Sequence, residues 1–252
     1  MNNGACNFNR HELVWLKLDA VKHAQYAGPT PMEPVAALSL LHRWVLGNYP
    51  LIVARQTDVP EGLLRIGLAE PASWGKRRLS FLVNTTHIAQ HQQGPQLAEV
   101  IAKLLARPPA TRSNALFTEL SSEFAAAWQP GAAALLNILN ELNIPAQVYG
   151  SAAIEALTGL PCLTANSDID VLFKPADWAS VQALCSHLQQ LQTAHPQFKV
   201  DGEVLSPSGL AVHWKEILHQ PGKVLAKCNN AVHLIELDQY KQAFSNPVRR
   251  QA

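Results

Sequence analysis

The sequence predicts an α+β protein of two domains, and three observations carry that prediction. At 252 residues the chain exceeds the usual single domain of roughly 100–150 residues. Its hydrophobic content, 48%, is ample for two cores. The rhythm also changes midway, from short apolar runs behind one helix to long helical stretches alternating with isolated strands. The change falls at Arg107-Pro108-Pro109, because a proline ring disfavours helical backbone in the residue before it. The expected domains are therefore 1–107, the smaller α+β half, and 108–252, a mixed sheet flanked by helices.

In the first domain, Leu38, Leu41 and Val45 recur at helical spacing and predict a helix over 33–46. Apolar runs at 51–54, 64–69 and 79–83 predict strands, separated by the turn-forming Pro60-Glu61-Gly62 and by 71–75. Leu97, Val100, Ile101, Leu104 and Leu105 mark one face of a closing helix. In the second domain, 115–143 reads as helical but broken at Pro130-Gly131, where proline removes a helical hydrogen bond. A strand at 147–149 leads through Gly150-Ser151 into a helix at 152–157. A strand at 168–173 follows and is stopped by Lys174-Pro175. Asp177 caps the next helix, whose buried face is Val181, Leu184, Leu188 and Leu191. Strands are expected at 199–205, 224–227 and 232–235.

Composition excludes several function classes. Charged residues are 15%, and 20 Lys plus Arg stand against 19 Asp plus Glu. A protein that grips long nucleic acids by overall charge is not built this way, nor is a charged disordered tail. Residues 1–140 carry 12 basic against 9 acidic side chains, and 141–252 carry 8 against 10. The near-neutral total therefore conceals an acidic lean in the second domain. The apolar run at 13–16 is too short for a secretory signal, and 124–142 is too interrupted to span a bilayer. Cys6, Cys162, Cys185 and Cys228 show no zinc-ligand spacing. Reduced thiols in a cytoplasmic enzyme are the expectation, with Cys162 a packed one.

The chemistry concentrates in Val148-Tyr149-Gly150-Ser151 and Ser167-Asp168-Ile169-Asp170. Asp168 and Asp170 share one face of a strand. Two carboxylates side by side repel, and a divalent cation relieves that; magnesium takes such hard oxygens while leaving positions for substrate phosphates. Gly150 lets backbone approach a phosphate, the Ser151 hydroxyl can donate to it, and the following helix start presents unpaired amides. A phosphate cradle beside a carboxylate pair is the machinery of phosphoryl or nucleotidyl transfer. A solvated strand edge is the plain alternative. A third carboxylate is expected on a neighbouring strand, Asp201 first and Glu203 second. Lys215 and Lys227 are candidates to meet the phosphates, or else solvated lysines; Arg55 and Arg77-Arg78 are more distant candidates. His87 and His91, four apart, would suit zinc on a helix but lack a third ligand, so a polar surface is expected there.

Gly-Ser followed downstream by Asp-x-Asp resembles the DNA polymerase beta-type nucleotidyltransferase superfamily, although 16 residues separate Ser151 from Asp168. The longer run is similar to a narrower family, malonate decarboxylase holo-acyl-carrier-protein synthase, or phosphoribosyl-dephospho-CoA transferase. That run is Val148 to Ser151, Ala156-Leu157-Thr158-Gly159-Leu160, Leu163-Thr164-Ala165 and Ser167 to Asp170. Asp201-Gly202-Glu203 and Ala211 to Glu216 extend it, and Arg10-His11-Glu12-Leu13-Val14-Trp15-Leu16 fits the family's opening. The resemblance implies a polymerase-beta-like catalytic domain. It also implies transfer of a 2'-(5''-phosphoribosyl)-3'-dephospho-CoA group from its triphosphate to a serine of the apo acyl carrier protein of malonate decarboxylase, with loss of pyrophosphate. Magnesium would be held by Asp168, Asp170 and Asp201, with Glu203 the alternative third carboxylate. Gly150, Ser151, Lys215 and Lys227 would receive the donor, and the first domain would recognise donor or carrier. No nucleic acid or membrane partner is expected. Rival readings are a nucleotidyltransferase that uses ATP directly and a non-catalytic binding module.

Overall fold

A computed structural model describes residues 8–29, 31–71, 74–106, 115–164 and 166–245, with 115–127 described as backbone only. The expected α+β, two-domain architecture is present. Contacts divide the chain into two compact units, Met1–Gly94 with Asn229–Ala231, and Pro95–Cys228 with Val232–Ala252. Each has a six-stranded sheet.

The first unit pairs β1 (Leu13–Leu16), β2 (Gln25–Tyr26), β3 (Leu51–Val53), β4 (Leu63–Ala69), β5 (Arg78–Asn84) and β6 (Ile88–Gln92) in the order β2-β5-β4-β3-β1-β6. Every pairing is antiparallel. β4 and β5 alternate strictly, burying Leu64, Ile66 and Leu68 beside Leu79, Phe81 and Val83, as a sheet with one covered face requires. Arg77 closes this hairpin from its far end, donating to both oxygens of the buried Glu70 at 2.8 and 2.7 Å. Helix α1 (Pro34–Leu46) opens with proline, whose missing N–H costs nothing in the first turn. It buries Ala37, Leu41 and Trp44, one position off the face expected from Leu38 and Val45, because the large indole takes the inside.

The second unit runs α2 (Leu97–Leu105), α3 (Ala115–Glu141), β7 (Ala146–Tyr149), α4 (Gly150–Thr158), β8 (Ile169–Phe173), α5 (Trp178–Ala194), β9 (Val200–Leu205), β10 (Ala211–His213), α6 (Trp214–His219), β11 (Lys223–Lys227), β12 (Val232–Glu236) and α7 (Leu237–Ser245). Its sheet order is β12-β11-β10-β9-β8-β7. Only β8 and β9 are parallel, and α5 supplies the crossover such a pair needs. Asp177 caps α5 as expected, accepting from the Ser180 amide at 2.8 Å. Val181, Leu184, Cys185, Leu188 and Leu191 of α5 enter one core with Phe173, Val204, Trp214 and Tyr240. The Tyr240 hydroxyl donates to the Val204 carbonyl at 2.6 Å.

Four expectations shift. The expected boundary residues Arg107-Pro108-Pro109 lie outside the described residues, and contacts begin the second unit at Pro95. The reason is α2, whose Leu97, Val100 and Ile101 pack in the second unit's core, and Gln96, which bridges Gln147. α3 does not break at Pro130-Gly131. Pro130 faces solvent, and Gly131 gives room to Phe198, whose ring carbon would lie 2.6 Å from a Cβ there. α4 begins at Gly150 rather than 152, and β8 at Ile169 rather than Asp168. The disfavoured alternative, zinc on a helix at His87 and His91, lacks its helix: His87 stacks on His23, and His91 lies on β6 and pairs with Glu12 at 2.7 Å. No described helix is long and apolar enough to cross a membrane.

Candidate active site

The site grows from the register of three strands. Tyr149 of β7 stands opposite Asp170 of β8, and Asp170 stands beside Asp201 of β9. Adjacent strands lie about 4.8 Å apart, and partners in register project to the same face. Val171 and Phe173 are buried in the core, so Asp170 points the other way, with Asp201 beside it. Both are half-buried.

Gly150 follows Tyr149 directly and starts α4 with φ of +69°, a left-handed conformation that glycine adopts without strain. Space demands it as well. A Cβ at this position would overlap an Asp170 carboxylate oxygen and come within 2.8 Å of its carboxyl carbon. The first turn of α4, with Ser151 half-buried on it, is therefore pressed against the central carboxylate. Helix N-termini carry free amides and a partial positive charge. The Gly-Ser motif and the second aspartate of Asp-x-Asp, 20 positions apart, meet as the sequence predicted.

Two neighbours sort the carboxylates of β9. Lys227 of β11 holds Glu203 at 2.7 Å, with the Glu203 side chain only 5% exposed. His213, at the end of β10, meets Asp201 Oδ1 through Nε2 at 2.8 Å. The Lys215 amide donates to His213 Nδ1 at 3.1 Å. Nδ1 is thus the bare nitrogen, and Nε2 carries the hydrogen that Asp201 accepts. The His213 hydrogen bond, aided by the Lys227 charge, holds the Asp201 carboxyl below its ordinary range, against partial burial and the Glu203 charge.

The predicted residues are therefore brought together only in part. Asp170, Asp201, Gly150 and Ser151 converge. Asp168 is exposed and lies just before β8, and among the described residues no three His, Cys, Asp or Glu side chains form a group that could hold a metal. The expected three-aspartate cage is not preformed. Glu203 and Lys227 neutralise each other because their strands, β9 and β11, flank β10 on the same face. Lys215 is exposed on α6, its ammonium 5.4 Å from the Trp214 ring centroid. Arg77 is committed to Glu70, which removes it from the donor candidates.

The remaining donor set still suits a hard divalent cation. Magnesium is commonly bound by one or two carboxylates, with water and substrate phosphate completing its octahedron, and Asp170 beside Asp201 is such a pair. Two contributors went unnoticed in the sequence. One is His213. The other is Glu155, fully buried on α4, which accepts from the Cys162 and Leu163 amides at 2.8 and 2.7 Å and pins the long loop ahead of Asp168. A glutamate inside the otherwise apolar Ala153-Ile154-Glu155-Ala156-Leu157 was the available signal.

The chain is 30% identical over 227 residues to a phosphoribosyl-dephospho-CoA transferase of Xanthomonas campestris pv. campestris (strain 8004), covering 90% of this chain and 93% of that one. It is 29% identical over 208 residues to the enzyme of that name from Bradyrhizobium diazoefficiens, covering 82% and 83%. No solved structure matches significantly. Fold, site and relatives together define a two-domain α+β transferase. Residues 9–94 match the phosphoribosyl-dephospho-CoA transferase MdcG N-terminal domain, and residues 115–238 match the C-terminal domain of the same family. The chain belongs to the phosphoribosyl-dephospho-CoA transferase family.

Proposed function

We propose that this transferase moves the 2'-(5''-phosphoribosyl)-3'-dephospho-CoA group from its 5''-triphosphate onto a serine of the apo acyl carrier protein of malonate decarboxylase. The observation that carries the reading is the in-register pair Asp170 and Asp201 with Gly150 packed on the first. The serine oxygen forms a bond to the α-phosphorus, the bond to the bridging oxygen breaks in line, and pyrophosphate departs with its electrons. The serine proton passes to Asp201. Asp170 and Asp201, with the exposed Asp168 as a further candidate, would hold magnesium, which would supply Lewis-acid polarisation and charge neutralisation. The Gly150 and Ser151 end of α4 faces the anionic chain of the donor, and Lys215 is the lysine left to meet it. Lys227 acts at one remove, keeping Glu203 away from Asp201. Positioning and charge stabilisation suffice, and no covalent protein nucleophile is needed. The first unit recognises donor or carrier, and the enzyme works in the cytoplasm.

The test is mass spectrometry of apo carrier protein incubated with the triphosphate donor and magnesium. A mass gain equal to the prosthetic group is expected with this donor and none with ATP. Asp170→Asn should lower the rate by about a thousandfold or more with an unchanged circular dichroism spectrum. A folded enzyme that leaves an authentic carrier unmodified rejects the reading, and adenylylation by ATP replaces it with a different nucleotidyl transfer.

A further inference from the structure

We infer that His213 is a positioning residue for Asp201, and that it acts by orienting that carboxylate toward the cation position shared with Asp170. The inference rests on the metal-site reading above and deepens it.

The geometry is a relay of two hydrogen bonds. The amide of Lys215 donates to Nδ1 at 3.1 Å, and Nε2–H donates to Asp201 Oδ1 at 2.8 Å. The first bond fixes both the tautomer and the ring plane, so the second cannot rotate away without uncapping α6. The imidazole also stacks on Trp214, with centroids 6.1 Å apart and planes 24° from parallel, and that indole is buried and donates to the Val200 carbonyl at 3.2 Å. The ring is thus held by two hydrogen bonds and one indole face. Glu203 stands opposite His213 in the β9–β10 register and would compete for Nε2–H, but Lys227 takes it. The Lys227 bond to Glu203 leaves the Nε2–H donor to Asp201.

With Oδ1 engaged, Oδ2 of Asp201 has no hydrogen bond from the described residues and is the oxygen left for a cation. Without the His213 bond, the half-buried Asp201 would lose the contact that fixes its orientation beside Asp170. Partners that orient a ligating carboxylate typically contribute tenfold to a hundredfold in metal affinity.

Two variants separate this role from the capping role. In His213→Asn the amide oxygen can still accept from the Lys215 amide, since asparagine is a good helix cap, but the side chain is too short to reach Asp201. In His213→Gln the terminal amide lies where Nε2 was and can still donate. Mn2+ titration of the full-length protein, read by the loss of the free-ion paramagnetic resonance signal, should show His213→Asn weakened about tenfold or more. His213→Gln should stay within about threefold of the parent, and both should melt within a few degrees of it. Transfer assays should show the same order. Wild-type affinity in a folded His213→Asn overturns the positioning role. Equal loss in both variants also overturns it, because the donor to Asp201 would then not be what matters. A parent protein that takes up no Mn2+ overturns the metal-site reading itself, a result distinguishable from either.

Discussion

The two six-stranded sheets handle charge differently. In the first, Glu70 meets Arg77 at the connection of the β4–β5 hairpin, and Glu12, just before β1, meets His91 of β6, so these two acids each have a nitrogen partner. In the second, the parallel β8–β9 pair sets Asp170 directly beside Asp201, and like charges face each other. An antiparallel hairpin such as β4–β5 joins its strands through a short connection and lets nearby sequence supply a compensating partner. A parallel pair joins strands through a long crossover, and here it brings together carboxylates 31 positions apart. The first arrangement holds a hairpin closed; the second sets two acids side by side on one face of a sheet.

If that contrast is right, glycines in the same left-handed conformation should behave differently in the two units. Gly150→Ala places a methyl group into the Asp170 carboxylate and should lower transfer at least about a hundredfold by displacing it. Gly62 has φ of +78° with nothing within 4 Å of its would-be Cβ. Gly62→Ala should cost only about 1 kcal/mol in urea unfolding and leave transfer rates unchanged. Equal effects on transfer would erase the distinction.

A smaller effect is expected from the acids that hold structure rather than perform chemistry. Glu155→Ala strands two buried amides and should cost about 3 kcal/mol. Glu70→Ala leaves Arg77, whose side chain is 38% exposed, free to turn to water, and should cost clearly less. Chemical denaturation of both variants measures the difference. A costlier Glu70→Ala would mean that the first sheet depends on its ion pairs more than its exposure implies.

A last contrast is a pH dependence confined to the second unit. Burial pushes the Cys185 thiol on α5 up to about 12 from 9.0. The unfolded chain ionises first, so this contribution is intact below pH 9 and is lost as pH climbs toward 12. Between pH 8 and 10 the parent should lose about 1.4 kcal/mol more than Cys185→Ala, read from paired urea titrations. Equal losses would place that thiol in water.

Much of this was legible beforehand, for identifiable reasons. β4 and β5 announce themselves by strict alternation, and α5 by its cap and apolar spacing. β2 has only two residues, β6 reads Ile88-Ala89-Gln90-His91-Gln92, and α7 is largely polar, so none carries a pattern strong enough to detect. Pro130-Gly131 misled because an exposed proline and a glycine under Phe198 mimic a helix break. Within the site, Gly150, Asp170 and Asp201 were readable because face-sharing follows from parity along each strand. The commitment of Glu203 to Lys227, and of Asp201 to His213, depends on which strands are neighbours and in what register. Single-strand patterns do not contain that information.

The crossover that makes β8 and β9 parallel also sets the order of events in folding. A tight turn cannot bring these strands together; residues 174–199, including the whole of α5, must be laid down first. Loop closure of that length delays the contact relative to hairpins such as β4–β5 or β11–β12. Within the second unit, the aspartate pair therefore exists only once its longest-range strand pairing has closed. Competence and complete folding of the second unit arrive in the same step, so a pulse-labelled refolding experiment would see both appear with one rate constant.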